Sequence, residues 1–296
     1  MKTCVFRGSG VALVTPMYPD GSVNYVELGR LIDFHLENQT DALVIAGTTG
    51  ECSTLTDEEH LSVIEYAVKR AHGMLPVIAG VGSNCTVHAA ELSREAERLG
   101  ADALLHVTPY YNKTSQEGLY RHFRACAEAS HLPIILYNVP SRTGVNIRPE
   151  TYRRLSDIDN IVAVKEAGGS VSQLAEIRSL CGDDLAIYSG NDDQITAALA
   201  LGASGVISIL ANLLPRVTHS ICQSFFEGDV EKSASLQLYA LDLIDALFCD
   251  VSPIPVKRAL NAMGYAAGPC RLPLCGMEPA AEKRLLACLR TYGLLP

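Results

Sequence analysis

The amino-acid sequence predicts an α/β fold: a (β/α)₈ barrel of eight parallel strands, with a C-terminal helical extension. Three observations carry that reading. Eight short runs rich in β-branched residues recur along the first two thirds of the chain, each run is continuously apolar rather than alternating, and the segments between them have helical period. A length of 296 residues is ordinary for such a barrel followed by a few extra helices.

The first run is VALVT (residues 11–15). After it, Asn24 with Glu27 makes a capping-box pattern ahead of Leu28, Leu31, Ile32 and Leu36. The second run is ALVIAG (42–47), and Thr56 with Glu59 repeats the pattern ahead of Leu61, Ile64 and Val68. PVIAGVG (76–82), ALLHVTP (103–109), PIILYNVP (133–140), IVAVKEAG (161–168), LAIYSG (185–190) and SGVISIL (204–210) complete the set. Strands that are apolar throughout are covered on both faces, which implies a parallel sheet, and right-handed crossovers close eight such repeats into a barrel. A doubly wound open sheet is the alternative, but it favours fewer strands, and the first loop, VTPMYPDG, lacks the G-x-G-x-x-G of a dinucleotide binder. Beyond the eighth run only helical periods remain. No Gly/Ser-rich or Pro-rich linker intervenes, so residues 1–214 are expected to form the barrel with the active site and residues 215–296 an appendage packed on it, in one structural unit.

Composition excludes several function classes. With 48% hydrophobic and 19% charged residues the chain can bury a large core. The net charge is −9 and the basic residues are scattered singly, so nucleic acid is not an expected partner. Arg7 interrupts any apolar signal core and no segment runs eighteen residues without a polar break, so neither targeting nor membrane insertion is expected and the location is read as cytoplasmic. Ten cysteines lie scattered from Cys4 to Cys288 without C-x-x-C spacing, which reads as reduced thiols. Isolated histidines, with no H-E-x-x-H or paired Cys/His cluster, predict no metal.

In a (β/α)₈ barrel the reactive groups sit at the C-terminal ends of the strands. Of seven lysines, Lys2 is terminal, Lys69, Lys232 and Lys283 fall on polar helix faces, Lys113 lies several residues past its strand, and Lys257 follows a Pro-Ile-Pro turn. Lys165 alone ends a buried apolar strand, where desolvation lowers an amine's pKa and yields a nucleophile for a carbonyl. By position it can equally pair with Glu166 or snorkel from the barrel mouth. Tyr137 ends the preceding strand and can shuttle a proton, or be a core aromatic with a satisfied hydroxyl. The turn Gly47-Thr48-Thr49-Gly50-Glu51 offers hydroxyls and backbone N–H groups to a small carboxylate, or is a plain turn. Arg142, after the fifth strand, offers a fork to a second carboxylate, or is a surface residue.

Taken together, GTTGE (47–51), VTPYYNK (107–113), LYNVPSRTG (136–144), VKEAGG (164–169), YSGND (188–192) and PIPVK (253–257) resemble the 4-hydroxy-tetrahydrodipicolinate synthase family in order and spacing over essentially the whole chain. The resemblance implies that Lys165 forms an imine with pyruvate, with Tyr137, Thr48 and Tyr111 as proton relay and Tyr111 supplied by a neighbouring subunit. It implies that Thr49 binds the pyruvate carboxylate, that Arg142 anchors the carboxylate of L-aspartate 4-semialdehyde, and that Gly190 and Ile207 line the pocket through backbone groups. No cofactor is implied, and the expected assembly is a homotetramer, a dimer of dimers. The family's lysine-sensitive members have an allosteric site at positions matching Cys52, Ser53, Asp57, His60, Asn84, His88 and Tyr110. Here Asp57 replaces a frequent histidine and His88 replaces a glutamate that would hold the lysine ammonium, so weak or absent lysine inhibition is expected. Ser252 stands where asparagine is common, a local change. N-acetylneuraminate lyases and 2-keto-3-deoxy sugar-acid aldolases share the lysine and tyrosine chemistry, but Thr48, Thr49, Tyr110, Tyr111 and Arg142 suit a short amino-acid aldehyde better than a polyol. A catalytically silent metabolite-binding homologue is the reading of another class, and it would be free to lose some of these groups.

Overall fold

The computed structural model describes residues 2 and 4–295. Strands β1 (Gly8–Ala12), β2 (Ala42–Ile45), β3 (Val77–Gly80), β4 (Ala103–Val107), β5 (Ile134–Asn138), β6 (Ile161–Glu166), β7 (Ala186–Ser189) and β8 (Gly205–Ser208) form a closed barrel in chain order, all parallel, with β8 pairing back to β1. Helices α1 (Tyr25–Glu37), α2 (Asp57–Ala71), α3 (Thr86–Arg98) and α4 (Gln116–Ala127) follow the first four strands. Two short helices, α5 (Pro140–Thr143) and α6 (Pro149–Leu155), follow β5, and α7 (Val171–Cys181) and α8 (Ile195–Ala200) follow β6 and β7. The chain ends with α9 (Pro215–Phe226), α10 (Val230–Leu247), α11 (Ile254–Ala262) and α12 (Pro279–Thr291). The division expected between residues 214 and 215 falls just before α9, a helix that packs on β1 and β8 as the eighth strand's own covering helix.

Local chemistry sets the helix starts. Thr56 and Glu59 form the full reciprocal capping box of α2, with Asp57, Glu58 and Glu59 in its first turn and Lys69 and Arg70 in its last, matching the helix dipole. At α1 only half of the expected box forms. The Asn24 side chain accepts from the Glu27 amide, while the Glu27 carboxylate lies 3.6 Å from Arg30.

Strand alternation divides the apolar residues into two cores. One fills the barrel with Ala12, Val44, Ile78, Leu105, Ile135, Ala163 and Ile207. The other lies between sheet and helices and includes Leu43, Val77, Leu104, Leu136, Val164 and Val206. At the N-terminal end the Phe6 ring stacks on Tyr188 with centroids 4.3 Å apart, and the Tyr188 hydroxyl donates to the Phe6 carbonyl at 2.7 Å.

That plug explains where the first strand starts. The apolar run predicted a strand over residues 11–15, but β1 begins at Gly8. A Cβ on Gly10 would stand 2.8 Å from the Phe6 ring, so the glycine makes room for the plug rather than breaking the strand. Val14 and Thr15 leave the ladder: the Val14 amide donates to Asn212 Oδ1 and the Thr15 hydroxyl to the Gly50 carbonyl at 2.7 Å. No helix of the described residues is long and apolar enough to cross a membrane. All ten cysteines are free thiols.

Candidate active site

The register of β5 on β6 sets Tyr137 beside Lys165, and paired residues of parallel strands share a face. Both side chains therefore enter the barrel at its C-terminal end, where Lys165 Nζ lies 4.4 Å from the Tyr137 ring centroid. Burial strips water from the amine and pushes its pKa down to about 8; Asp192 opposes the shift and Arg142 adds to it. Among the described residues Lys165 has no salt bridge.

The rival pairing with Glu166 is excluded by the same alternation. Glu166 points to the helix side of the sheet, where its carboxylate accepts from Asn138 Nδ2, the Tyr152 hydroxyl and Gln173 Nε2, each at 3.0 Å, and from the Gly168 amide at 2.7 Å. Neutral donors satisfy it, and the amine one residue away is left unpaired. Burial also raises the pKa of the Tyr137 phenol, against smaller pulls from the Arg142 charge and a hydrogen bond with Thr48, so the group is protonated at neutral pH and able to give a proton.

The Gly47–Glu51 turn hangs from the end of β2. Ala46 and Glu51 hold left-handed φ values of 52° and 57° at its two ends. Its close approach to β3 needs Gly80, where a Cβ would stand 2.5 Å from the Ala46 carbonyl oxygen. Thr49 is buried, while Thr48 faces a recess of about 240 Å³ shared with Tyr137 and Leu105. The same Thr48 borders a cleft of about 620 Å³ that Arg142, Val139 and Tyr110 also line, so the two hollows adjoin. Arg142 stands on α5 at the mouth, with Nη2 donating to the Ser252 carbonyl at 3.1 Å. Ser252 makes that contact through its backbone.

The other sequence-predicted positions divide. Ile207 is buried inside the barrel on β8, and the Gly190 amide donates to the Glu166 carbonyl at 2.7 Å, tying the end of β7 to β6. Tyr111 has φ 68° and is 91% exposed, so one chain alone does not bring it to Thr48 and Tyr137. Of the candidate allosteric set, Cys52, Ser53 and Tyr110 line the cleft, and burial pushes the Cys52 thiol up to about 11. His60 Nε2 is 2.7 Å from the Gly80 carbonyl. The Asn84 carbonyl accepts from Asn112, and His88 Nε2 meets Asp57 Oδ1 at 3.0 Å. The two residues that depart from the family pattern thus pair with each other.

Two buried charged groups escaped the sequence reading. Asp192 takes the Ile209 and Leu210 amides at 3.0 and 2.9 Å on one oxygen, and its other oxygen is buried without a partner. Lys257, which follows the Pro-Ile-Pro turn, is buried in an ion pair with Glu51 at 2.7 Å. One signal was present: Lys257 lies between Ile254 and Leu260 at three-residue spacing, on the apolar face of α11. No group of His, Cys, Asp and Glu side chains suited to a metal occurs among the described residues.

The chain matches the model of the dihydrodipicolinate synthetase family over residues 5–291. A 4-hydroxy-tetrahydrodipicolinate synthase of Caldicellulosiruptor saccharolyticus is 56% identical over 290 residues, covering 98% of both chains. The crystal structure of dihydrodipicolinate synthase from Aquifex aeolicus superposes with a TM-score of 0.96 at 45% identity, covering 98% of this chain and 99% of that one. The enzyme from Acinetobacter baumannii, solved in complex with pyruvate, gives a TM-score of 0.96 at 43% identity over the same shares. With a buried unpaired lysine beside a tyrosine at the mouth of a closed barrel, and with relatives this similar over nearly the whole length, the chain belongs to the dihydrodipicolinate synthetase family.

Proposed function

We propose that this enzyme condenses pyruvate with L-aspartate 4-semialdehyde to 4-hydroxy-tetrahydrodipicolinate, in the diaminopimelate route to lysine, through an imine on Lys165. The observation that carries the reading is an amine with a pKa lowered to about 8, buried, unpaired and 4.4 Å from the Tyr137 ring. The neutral amine attacks C2 of pyruvate, and the carbinolamine loses one water as Tyr137 delivers a proton to the departing hydroxyl. Loss of a proton from C3 gives an enamine, which attacks the aldehyde carbon of the second substrate. The amino group of that substrate then attacks C2, closes the six-membered ring and releases Lys165 as a free amine, so no cofactor is consumed.

Thr48 and Tyr111 complete the proton relay, with Tyr111 coming from a second subunit; its exposure supports that assignment. Thr49 and the turn amides take the pyruvate carboxylate, Arg142 takes the carboxylate of the aldehyde, and Gly190 and Ile207 line the pocket through their backbones. The reading carries with it a homotetramer of two dimers in the cytoplasm. It also carries weak or absent lysine feedback, because a histidine at position 88 supplies no negative charge for the lysine ammonium and the Asp57 carboxylate beside it is engaged by that histidine. Incubation with pyruvate and borohydride, followed by peptide mass analysis, tests the chemistry. A pyruvate-sized reduced adduct is expected on Lys165, and an adduct confined to Lys257 or another lysine overturns the reading.

A further inference from the structure

We propose that Lys257 is a positioning residue: through Glu51 it braces the Gly47–Glu51 turn from the C-terminal extension and so sets the site for the pyruvate carboxylate. The proposal rests on the assignment of Thr48 and Thr49 above.

Lys257 projects from α11, is 1% exposed, and directs Nζ to three acceptors. These are Glu51 Oε1 at 2.7 Å, the Thr15 carbonyl at 3.1 Å and the Pro269 carbonyl at 2.6 Å. Three acceptors use all three N–H bonds of an ammonium and leave no lone pair for a carbonyl. The second Glu51 oxygen accepts from the Arg271 amide at 2.9 Å, so both ends of the pair are satisfied from the segment between α11 and α12. Arg271 reinforces the tie with its side chain, which donates to the Thr54 carbonyl and to both oxygens of Glu59.

The geometry of the turn explains why this matters for pyruvate. Glu51 sits two residues after Thr49 with φ 57°, a left-handed conformation that a glutamate keeps only where its surroundings hold it. Its amide closes the turn onto the Thr48 carbonyl at 3.1 Å, and the Thr15 hydroxyl holds the Gly50 carbonyl at 2.7 Å. Both of these turn contacts run through Glu51 or Thr15, two of the three residues that Lys257 holds. A buried ion pair is a poor device for stability alone, since well-packed apolar residues of the same volume do as well or better. It is a good device for fixing one position of a loop whose hydroxyls and amides must meet a ligand to within a fraction of an ångström. The other end of α11 also reaches the site: the carbonyl of Ser252, two residues before that helix, receives Arg142.

The test uses the full-length enzyme with Lys257→Met and Glu51→Gln, each checked for native fold by thermal melting followed by circular dichroism. The expected result is a rise in KM for pyruvate on the order of tenfold, with kcat at saturating pyruvate within about threefold of the parent, because the defect lies in holding the ground-state carboxylate. Uniform loss of active protein would lower kcat and leave KM alone, so the split separates positioning from mere stability. Should Lys257→Met fail to fold, the near-isosteric Glu51→Gln decides. Folded variants whose pyruvate KM stays within about twofold of the parent overturn the proposal, as does loss of fold in both. Failure of the parent to label at Lys165 would instead sink the catalytic reading and leave the brace to be judged on pyruvate binding.

Discussion

Lys165 and Lys257 are both withdrawn from water, at 6% and 1% exposure, yet their surroundings make them opposites. Lys257 meets a carboxylate and two carbonyls, which fix the ammonium in place. Lys165 meets the face of a tyrosine, and the neighbouring carboxylate of Glu166 is turned through the sheet to the other side. Burial by itself does not make an amine reactive; burial with no carboxylate in hydrogen-bonding contact does, and the Asp192 charge only partly offsets the desolvation of Lys165. The contrast is drawn by one strand's alternation in the first case and by a contact across 206 residues of chain in the second.

The contrast can be broken most directly at Lys165. Lys165→Met is expected to lose activity by on the order of 10⁴-fold or more, with no borohydride adduct, because the covalent route disappears. The same variant should be more stable than the parent. With a folded pKa of about 8 against a usual 10.5, the folded state binds fewer protons than the unfolded one between those values. The Lys165 contribution to parent stability therefore rises with pH through that window, and below it the buried amine carries its full penalty, an upper limit of roughly 3 kcal/mol at pH 7. Denaturant titration of parent and variant at pH 7 checks the sign, and a less stable variant would count against an unpaired Lys165. Tyr137→Phe keeps the ring beside the amine and removes the proton, so kcat should fall by about 10²-fold to 10³-fold with imine trapping slowed in parallel. Arg142→Ala should raise KM for the aldehyde by roughly thirtyfold while leaving labelling by pyruvate near the parental rate, a separation measured by single-substrate trapping.

Smaller effects sharpen the contrast. The rate of adduct formation at low pyruvate should climb about tenfold per pH unit up to neutrality and level off near pH 8. A plateau only above pH 10 would mean that Lys165 is as well solvated or paired as an ordinary lysine. The smallest expected response is to free lysine, with initial rates unchanged at micromolar concentration; strong inhibition there would show that the Asp57–His88 pair opens to admit it.

The barrel was legible because its signal is local and repeated. Runs such as ALVIAG and IVAVKEAG are apolar on both faces, and both faces turn out to be covered by the two cores. Lys165, Tyr137 and the Gly47–Glu51 turn were legible because a barrel puts strand ends in one place. The start of β1 was not, since Gly8 and Gly10 look like breakers until the Asp41 side chain is seen lying against the first and the Phe6 ring against the second. Glu51 and Lys257 were each read by their immediate neighbours, as a turn residue and as a residue after a turn, and nothing in either neighbourhood announces a partner so far along the chain. The role of Asp192 is not visible in the YSGND motif, because its burial depends on amides beyond β8.

The stack of Phe6 on Tyr188 has a kinetic consequence. It packs the N-terminal end of the barrel, while the cleft bordered by Thr48 opens at the opposite end beside Arg142. On the proposed assignments the keto acid bonds at buried Lys165 and the aldehyde is held by Arg142 at the mouth, so the expected order is keto acid first, checked by initial rates with both substrates varied.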